Sequence, residues 1–298
     1  MKNLLLLFFL FCLGTNLVSQ NLDEILEEES PENDVVVFGT FNGTRILNGH
    51  SVETRKKGIL EFLIHHRFGK INSGADELFG LDESNIRLGF EYALTNNFTI
   101  AIGRSSFEKT FDGYLKYKLF KQKNGKQSFP ISLTLFTSAT EKTIKDYDPD
   151  NKPSFSDRLT YTTQVLIAKK FNPNFSFQIT PTYIHFNTNP ATIDPNDIFA
   201  LGFGTRLKIS KRVSINGEYF YATDSFKSID AKNSIAFGID IETGGHIFQL
   251  IFANSRSMIE KGFIAENTGD FIKGDIHFGF NISRAFQIKK TEDTKKLY

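Results

Sequence analysis

The chain has 298 residues, enough for one large or two small domains, with 35 basic against 34 acidic residues, 32 Phe, 9 Tyr and no Trp. So even a balance argues against nucleic acid or another polyanion as the main partner. Beyond the first residues no segment approaches the ~18–20 consecutive apolar residues of a membrane helix, so a membrane protein built from this chain has to be a closed barrel.

Residues 1–19 read as an export signal, with Lys2 as its charge, Leu4 to Leu13 as its apolar core and a cleavage site at Leu17-Val18-Ser19. The apolar run is too short to span a membrane. Cys12, the single cysteine, lies inside it, so the exported chain has no disulfide and no thiol chemistry. Lys2 is also the only charge there, and its loss leaves 34 basic and 34 acidic residues.

Residues 20–57 are expected to form a short N-terminal segment, periplasmic or plug-like. Its start is acidic, through Glu27-Glu28-Glu29 and Asp34, as in a solvated lead-in. Val35 to Phe38 suit a short strand, and the Gly- and Asn-rich stretch to Glu53 has no clear period. Gly43 to Gly49 lacks the Gly-x-x-x-x-Gly-Lys-Ser/Thr spacing of a phosphate cradle. Its glycines suit an irregular segment turning tightly against the barrel.

Alternation sets in at Gly58 and continues to about Phe286, the span assigned to the barrel. About twelve strands are predicted: 58–69, 85–94, 98–106, 112–121, 129–139, 157–170, 174–186, 197–209, 213–222, 233–243, 246–254 and 271–286. The hairpin at 197–222 displays the rule. Phe199, Leu201, Phe203 and Leu207 share one parity, and Ala200, Gly202, Gly204 and Arg206 the other. Successive side chains of a strand point to opposite faces, and ~9–11 residues suffice for a tilted strand to cross a bilayer.

Short connections at 95–97, 122–128, 172–174, 210–212 and 243–245 alternate with longer ones near 70–84, 105–111, 140–156, 187–196, 223–232 and 255–270. Membrane barrels keep short turns on the periplasmic side and long loops outside. A soluble β-sandwich shares the apolar–polar alternation but has no reason to sort its loops by length. The reading is therefore an all-β, antiparallel up-and-down transmembrane barrel with both ends in the periplasm and a charged tail at 287–298.

Parity assigns Leu60, Phe62, Ile64, Ile86, Leu88 and Phe90 to the lipid face, and Glu61, His65, Arg67, Arg87, Glu91, Lys116 and Lys118 to the interior. Tyr92, Tyr117, Tyr183, Tyr219 and Tyr221 lie near strand ends, where aromatic girdles sit.

Several stretches resemble a family of bacterial outer-membrane proteins described as a membrane-bound β-barrel domain of unknown function. They are Gly39-Thr40-Phe41-Asn42-Gly43-Thr44-Arg45, Asn48-Gly49-His50-Ser51-Val52-Glu53, His66-Arg67-Phe68-Gly69, Glu77-Leu78-Phe79-Gly80-Leu81-Asp82, Gly103-Arg104-Ser105-Ser106 and Phe111-Asp112-Gly113-Tyr114-Leu115-Lys116-Tyr117. The resemblance implies a barrel in the outer membrane of a Gram-negative bacterium. It assigns no activity, so Asn48, His50, Glu53, Glu77 and Asp82 stand as motif residues without a role.

Histidine spacing gives no metal site, since His65 and His66 face opposite sides and the others lie on separate segments. Asp146-Tyr147-Asp148-Pro149-Asp150 has alternating carboxylates suited to calcium, but reads more simply as a solvated loop tip. Twelve-stranded outer-membrane phospholipases use Ser and His on the barrel wall. His50 and Ser51, as neighbours, cannot serve as base and nucleophile, so no catalytic residue, metal or cofactor is assigned.

The favoured function is a narrow pore or binding protein for a small polar solute, since twelve strands fall between filled eight-stranded barrels and open channels of sixteen or more. The rivals are a structural or secretion-associated barrel docking a periplasmic partner, and a hydrolase. Outer-membrane lipid is the expected surround, and the chain a monomer or small oligomer. His65, Arg67, Arg87, Glu91, Arg104, Ser105 and Lys116 converge near the outer mouth. Two readings of that patch stand side by side: a grip for an anionic or carboxylate-bearing solute, and a salt-bridge network with Glu61, Glu77, Asp82 and Glu91 that stiffens the wall. Arg104 shares parity with Ile100 and Ile102, which also allows it to face the headgroups.

Overall fold

The computed structural model describes residues 35–144, 153–189 and 191–289. The signal, the acidic lead-in to Asp34, the 146–150 loop tip and most of the charged tail lie outside them.

Twelve strands close an antiparallel barrel: β1 Ile59–Lys70, β2 Ser84–Ala93, β3 Phe98–Ser105, β4 Phe111–Phe120, β5 Ser132–Glu141, β6 Leu159–Lys170, β7 Phe175–Phe186, β8 Asp197–Lys208, β9 Val213–Ala222, β10 Ser234–Thr243, β11 His246–Ala253 and β12 His277–Gln287. Each strand pairs with its sequence neighbours, and β12 returns to β1. Closure leaves no unpaired strand edge, which lipid could not satisfy. Two boundaries differ from the periodicity by three residues or more. β5 begins at Ser132 rather than 129, after Pro130, which has no N–H to donate. β12 begins at His277 rather than 271, because Gly274 takes φ of 85° and turns the chain before it.

Burial runs opposite to that of a water-soluble protein. Arg67, Arg87, Lys116, Glu61 and Glu91 are buried, whereas Phe90, Ile102, Leu115, Leu135, Phe237 and Phe252 are exposed on the outer wall. Charged side chains are almost never fully buried unless partnered, so the interior has to be a polar network. Tyr117, Tyr161, Tyr183 and Tyr221 stand exposed on the wall.

The polar partners come from two segments that enter the barrel from opposite ends. At the short-turn end Val35–Val36 pairs with Lys123–Asn124, and the Lys170 ammonium donates to the Phe38 carbonyl. Residues 40–52 then run into the lumen, fold back through a tight turn in which the Ile46 N–H donates to the Gly49 carbonyl, and leave through Thr54 and Lys57, which bond to Asn96. The segment is therefore inside the barrel rather than packed against it. From the long-loop end, residues 254–265 dip inward and carry one irregular helical turn, Lys261–Ala265, whose residues are all buried. Phe263, Ile264 and Ala265 pack with Ile184, Phe186, Ile198, Phe220 and Phe226 in an apolar cluster.

Candidate functional site

The tip of the N-terminal segment is held by a carboxylate. The N–H groups of Leu47, Asn48 and Gly49 all donate to Glu218 of β9, at 2.8–3.2 Å. Consecutive N–H groups turned to one side make a concave seat for an anion, and here a side chain of the wall fills it. The carbonyls of Ile46 and Leu47 accept from Gln249 and Asn281, and Gln178 both accepts from the Val52 N–H and donates to the His50 carbonyl. Gly204 leaves the room that Ile46 occupies, since a methyl group there would collide with the Ile46 side chain.

Most of the interior residues singled out by parity belong to this network. Arg67 donates to Asn48 Oδ1 (2.7 Å), Asn281 Oδ1 (3.0 Å) and the His66 carbonyl. Lys116 donates to the carbonyls of Thr44 (3.2 Å) and Glu53 (2.8 Å). Glu53 itself accepts from the Thr40 N–H and the Lys118 ammonium. Arg87 is clamped by both oxygens of Asp112, and Gly103 clears the space for its guanidinium. His65 Nδ1 lies 3.4 Å from Arg87, and Ser105 is buried on the same wall. Glu91 accepts from the Tyr114 hydroxyl and Glu61 from Arg55, so the carboxylate partners of the cations differ from those expected. The His50 ring packs between Tyr114, which it meets edge-on at 4.7 Å, and Phe136, tilted against it at 4.1 Å.

Three residues stand apart from this network. Arg104 is exposed on the outer wall over Phe111, because its parity is that of Ile100 and Ile102. Asp82 is exposed in the loop after β1 and joins no ion pair with the arginines. Glu77 lies in that same loop, on the wall of the outer cavity described below.

The two inserted segments touch. Arg45 donates to Glu260 Oε1 at 3.0 Å, with both side chains almost fully buried, and His50 Nε2 lies 3.4 Å from the same oxygen. Next to Glu260, burial alone would lower the Lys261 ammonium. Glu266 at 2.9 Å and Glu108 at 3.3 Å outweigh it and raise the pKa. Below the contact, a pocket among Thr44, Arg45, Glu61, His65 and Asn281 has about 10 Å³, barely the room one water needs.

Above it lies a cavity of about 510 Å³ at the long-loop end, walled by the loop after β1, Phe107, His277 and the inserted 254–269 stretch. Its charges are of both signs: Lys70, Glu77, Glu83, Arg256 and Glu266. Arg256 reaches Glu83 at 3.4 Å and lies over Phe107. Asp275 fastens the neighbouring loops. The Asn72 amide (2.9 Å) and the Lys70 ammonium (3.0 Å) hold its carboxyl at about 2, against the opposing effect of burial.

Glu218, Asp112, Glu260 and Gln178 carry much of this arrangement, though none of them was among the candidate site residues of the sequence. The signals were a buried-parity carboxylate opposite an Asn-Gly turn, and the apolar residues Met258, Ile259, Phe263 and Ile264 inside an apparent loop. Among the described residues no group of three or more His, Cys, Asp and Glu side chains is arranged to hold a metal.

A closed antiparallel barrel with an apolar outer wall and a charged, packed interior is a membrane-bound β-barrel. The chain belongs to the family described as a membrane bound beta barrel domain, whose model matches residues 41–286 and so takes in the inserted N-terminal segment. No curated protein matches the chain. Similar solved structures include the NanC porin (9% identity, covering 76% of this chain and 98% of that one, TM-score 0.47). The KdgM porin is also similar (9%, 76% and 99%, 0.44). So is an outer membrane channel from Pseudomonas putida F1 (13%, 79% and 98%, 0.45).

Proposed function

We propose that this protein is a gated outer-membrane passage for a small polar solute, held closed in the described state by its two inserted segments. Residues 40–53 stopper the barrel from the periplasmic side and residues 254–269 from outside, with the long loops taken as extracellular by the rule for such barrels. The observation that carries the reading is the outer cavity. At about 510 Å³ it is of ligand size, and one of its walls is the inserted 254–269 stretch, which lies outside the strand ladder apart from the bonds of Asn254 to Ile235 of β10. Passage requires that stretch and the N-terminal hairpin to swing aside, as loops and inserted elements do on microsecond to millisecond scales.

The mixed charge of the cavity favours a neutral or zwitterionic polar solute over the anion suggested by Arg67, Arg87 and Lys116, which are engaged below it. Planar-bilayer recording tests the reading. The wild type is expected to be closed most of the time, and Glu218→Ala, which frees the hairpin tip, to open more often. A Glu218→Ala barrel with a demonstrably released segment and no added conductance would overturn it.

A further inference from the structure

We propose that the short-turn end of the barrel is a docking surface for the chain's own acidic lead-in, residues 20–34. The proposal stands on the fold and on charge, whatever passes through the lumen. The five short turns, at 94–97, 121–131, 171–174, 209–212 and 244–245, hold Lys121, Lys123, Lys126, Lys211 and Arg212 and no Asp or Glu. At the opposite end Lys70 pairs with Asp275 (3.0 Å), Lys142 with Glu108 (2.7 Å), Arg158 with Glu141 (3.0 Å) and Arg256 with Glu83 (3.4 Å). At the short-turn end the pairs of Lys118 with Glu53 and of Arg55 with Glu61 hold the inserted segment. Lys121, Lys123, Lys211 and Arg212 join no ion pair among the described residues.

Beside the third and fourth turns, Lys170, Arg206 and Lys208 line a cavity of about 230 Å³ against a single carboxylate, Glu242. Lys170 donates there to the Phe38 carbonyl, and Arg206 to the Gly39 carbonyl and the Ser214 hydroxyl. These partners are neutral, so the positive charge is not cancelled. The lead-in is the complement. Residues 20–34 contain seven Asp and Glu and no Lys or Arg. They end where Val35 and Val36 pair with Asn124 and Lys123, at the edge of the basic surface. Fifteen residues reach up to ~50 Å, about twice the width of a ring of twelve strands spaced ~4.8 Å apart. Attachment at the rim holds the carboxylates at an effective concentration on the order of 1 mM, an advantage that no separate acidic partner has. Exposed ion pairs are individually weak, so the contact is collective and sensitive to salt.

Carbodiimide coupling of the purified barrel with residues 20–34 in place, in neutral detergent and read by peptide mass spectrometry, tests this. The reagent joins a carboxylate only to an amine beside it. At about 0.01 M salt, Glu27, Glu28 or Glu29 should be coupled to Lys121, Lys123 or Lys211 within one molecule. At about 1 M, where the screening length falls from about 30 Å to about 3 Å, these links should be lost. The surface pair of Lys70 and Asp275, at 3.0 Å, is the internal control and should couple at low salt. In a second measurement, a fluorophore on Ser30→Cys should be ordered at low salt by anisotropy. Lys121→Gln/Lys123→Gln/Lys211→Gln/Arg212→Gln should free it while heat-modifiable mobility shows a folded barrel. Control links without any between residues 20–34 and the short turns would overturn the proposal, as would a label that stays ordered in the folded variant. Links found only between two molecules would overturn it too, assigning the surface to a second copy. So would release of the label by phosphatidylglycerol and not by phosphatidylcholine, which assigns the surface to lipid headgroups.

Discussion

Arg45 and Glu260 lie 3.0 Å apart in the middle of the barrel, one on a segment that enters through the short-turn end and the other on a segment that enters through the long-loop end. They are 215 positions apart in sequence and nearly devoid of solvent contact, so the pair joins the two halves of the closure. Removing one partner of such a pair leaves an uncompensated buried charge, which typically costs about 3–5 kcal/mol, whereas replacing both by apolar groups is often neutral. Glu260→Met should therefore destabilise the folded barrel strongly and Arg45→Met/Glu260→Met much less. Urea unfolding of the refolded variants, followed by heat-modifiable gel mobility, measures the difference. Equal losses in the single and double variants would mean that the contact is incidental.

The seat formed by Glu218 makes a local prediction. Glu218→Ala orphans the N–H groups of Leu47, Asn48 and Gly49, each at a cost of about 1–3 kcal/mol if it stays buried. The segment should instead leave, and amide exchange across residues 44–53 should accelerate while the strands remain protected. Protection unchanged in this stretch would remove Glu218 from its assigned role.

Parity was enough to find the barrel, because one face of each strand meets lipid and the other does not. Phe90 and Ile102 were placed outside, and Arg67 and Arg87 inside, as the structure has them. What parity does not carry is the content of the lumen. The grip of Asn48 on Arg67, and of Glu218 on the 47–49 turn, depends on which wall residues face one another after closure. Residues 40–53 have no period of their own because they form no ladder, and their partners come from nine strands rather than from nearby sequence. The partners of the mouth patch were hidden for a related reason: depth along a strand can be counted, but an inserted loop above it cannot.

At the wall itself, Phe177→Arg places a charge against lipid and should cost about 2–4 kcal/mol if the position is near the midplane. The neighbouring Gln178→Ala should act through the stopper, by releasing the Val52 N–H and the His50 carbonyl. Folding yield into bilayers should fall for the first. Exchange of residues 50–53 should rise for the second. The reverse pattern would exchange the two faces.

Asp275 gives a pH dependence of definite sign. Its folded carboxyl titrates at about 2, below the ordinary 3.8, so its contribution is present above about pH 4 and disappears as pH falls toward 2. Proteolysis with an acid-active protease should find the 270–276 loop progressively more susceptible across that window. In Asp275→Asn the loop should be susceptible throughout. A wild-type loop whose susceptibility is flat from pH 4 to pH 2 would contradict the anchor.

Orientation can be read from reactivity with an impermeant maleimide in intact cells. Cysteines at Asn96, Asn174 and Gly245, on the short turns, should be shielded. Cysteines at Ile272, 95% exposed, and Ile193, 64% exposed, should react. Labelling of the first set alone would invert the barrel.

The stopper is tested most directly by locking it. Asn42 Nδ2 lies 3.4 Å from Ser214 Oγ, joining the inserted segment to β9, so Asn42→Cys/Ser214→Cys offers a reversible tether in an exported chain otherwise expected to lack cysteine. Combined with Glu218→Ala and recorded in a planar bilayer, the oxidised barrel should remain closed, and reductant should restore frequent openings. The same conductance before and after reduction, with the disulfide confirmed by mass, would mean that residues 40–53 do not gate the barrel.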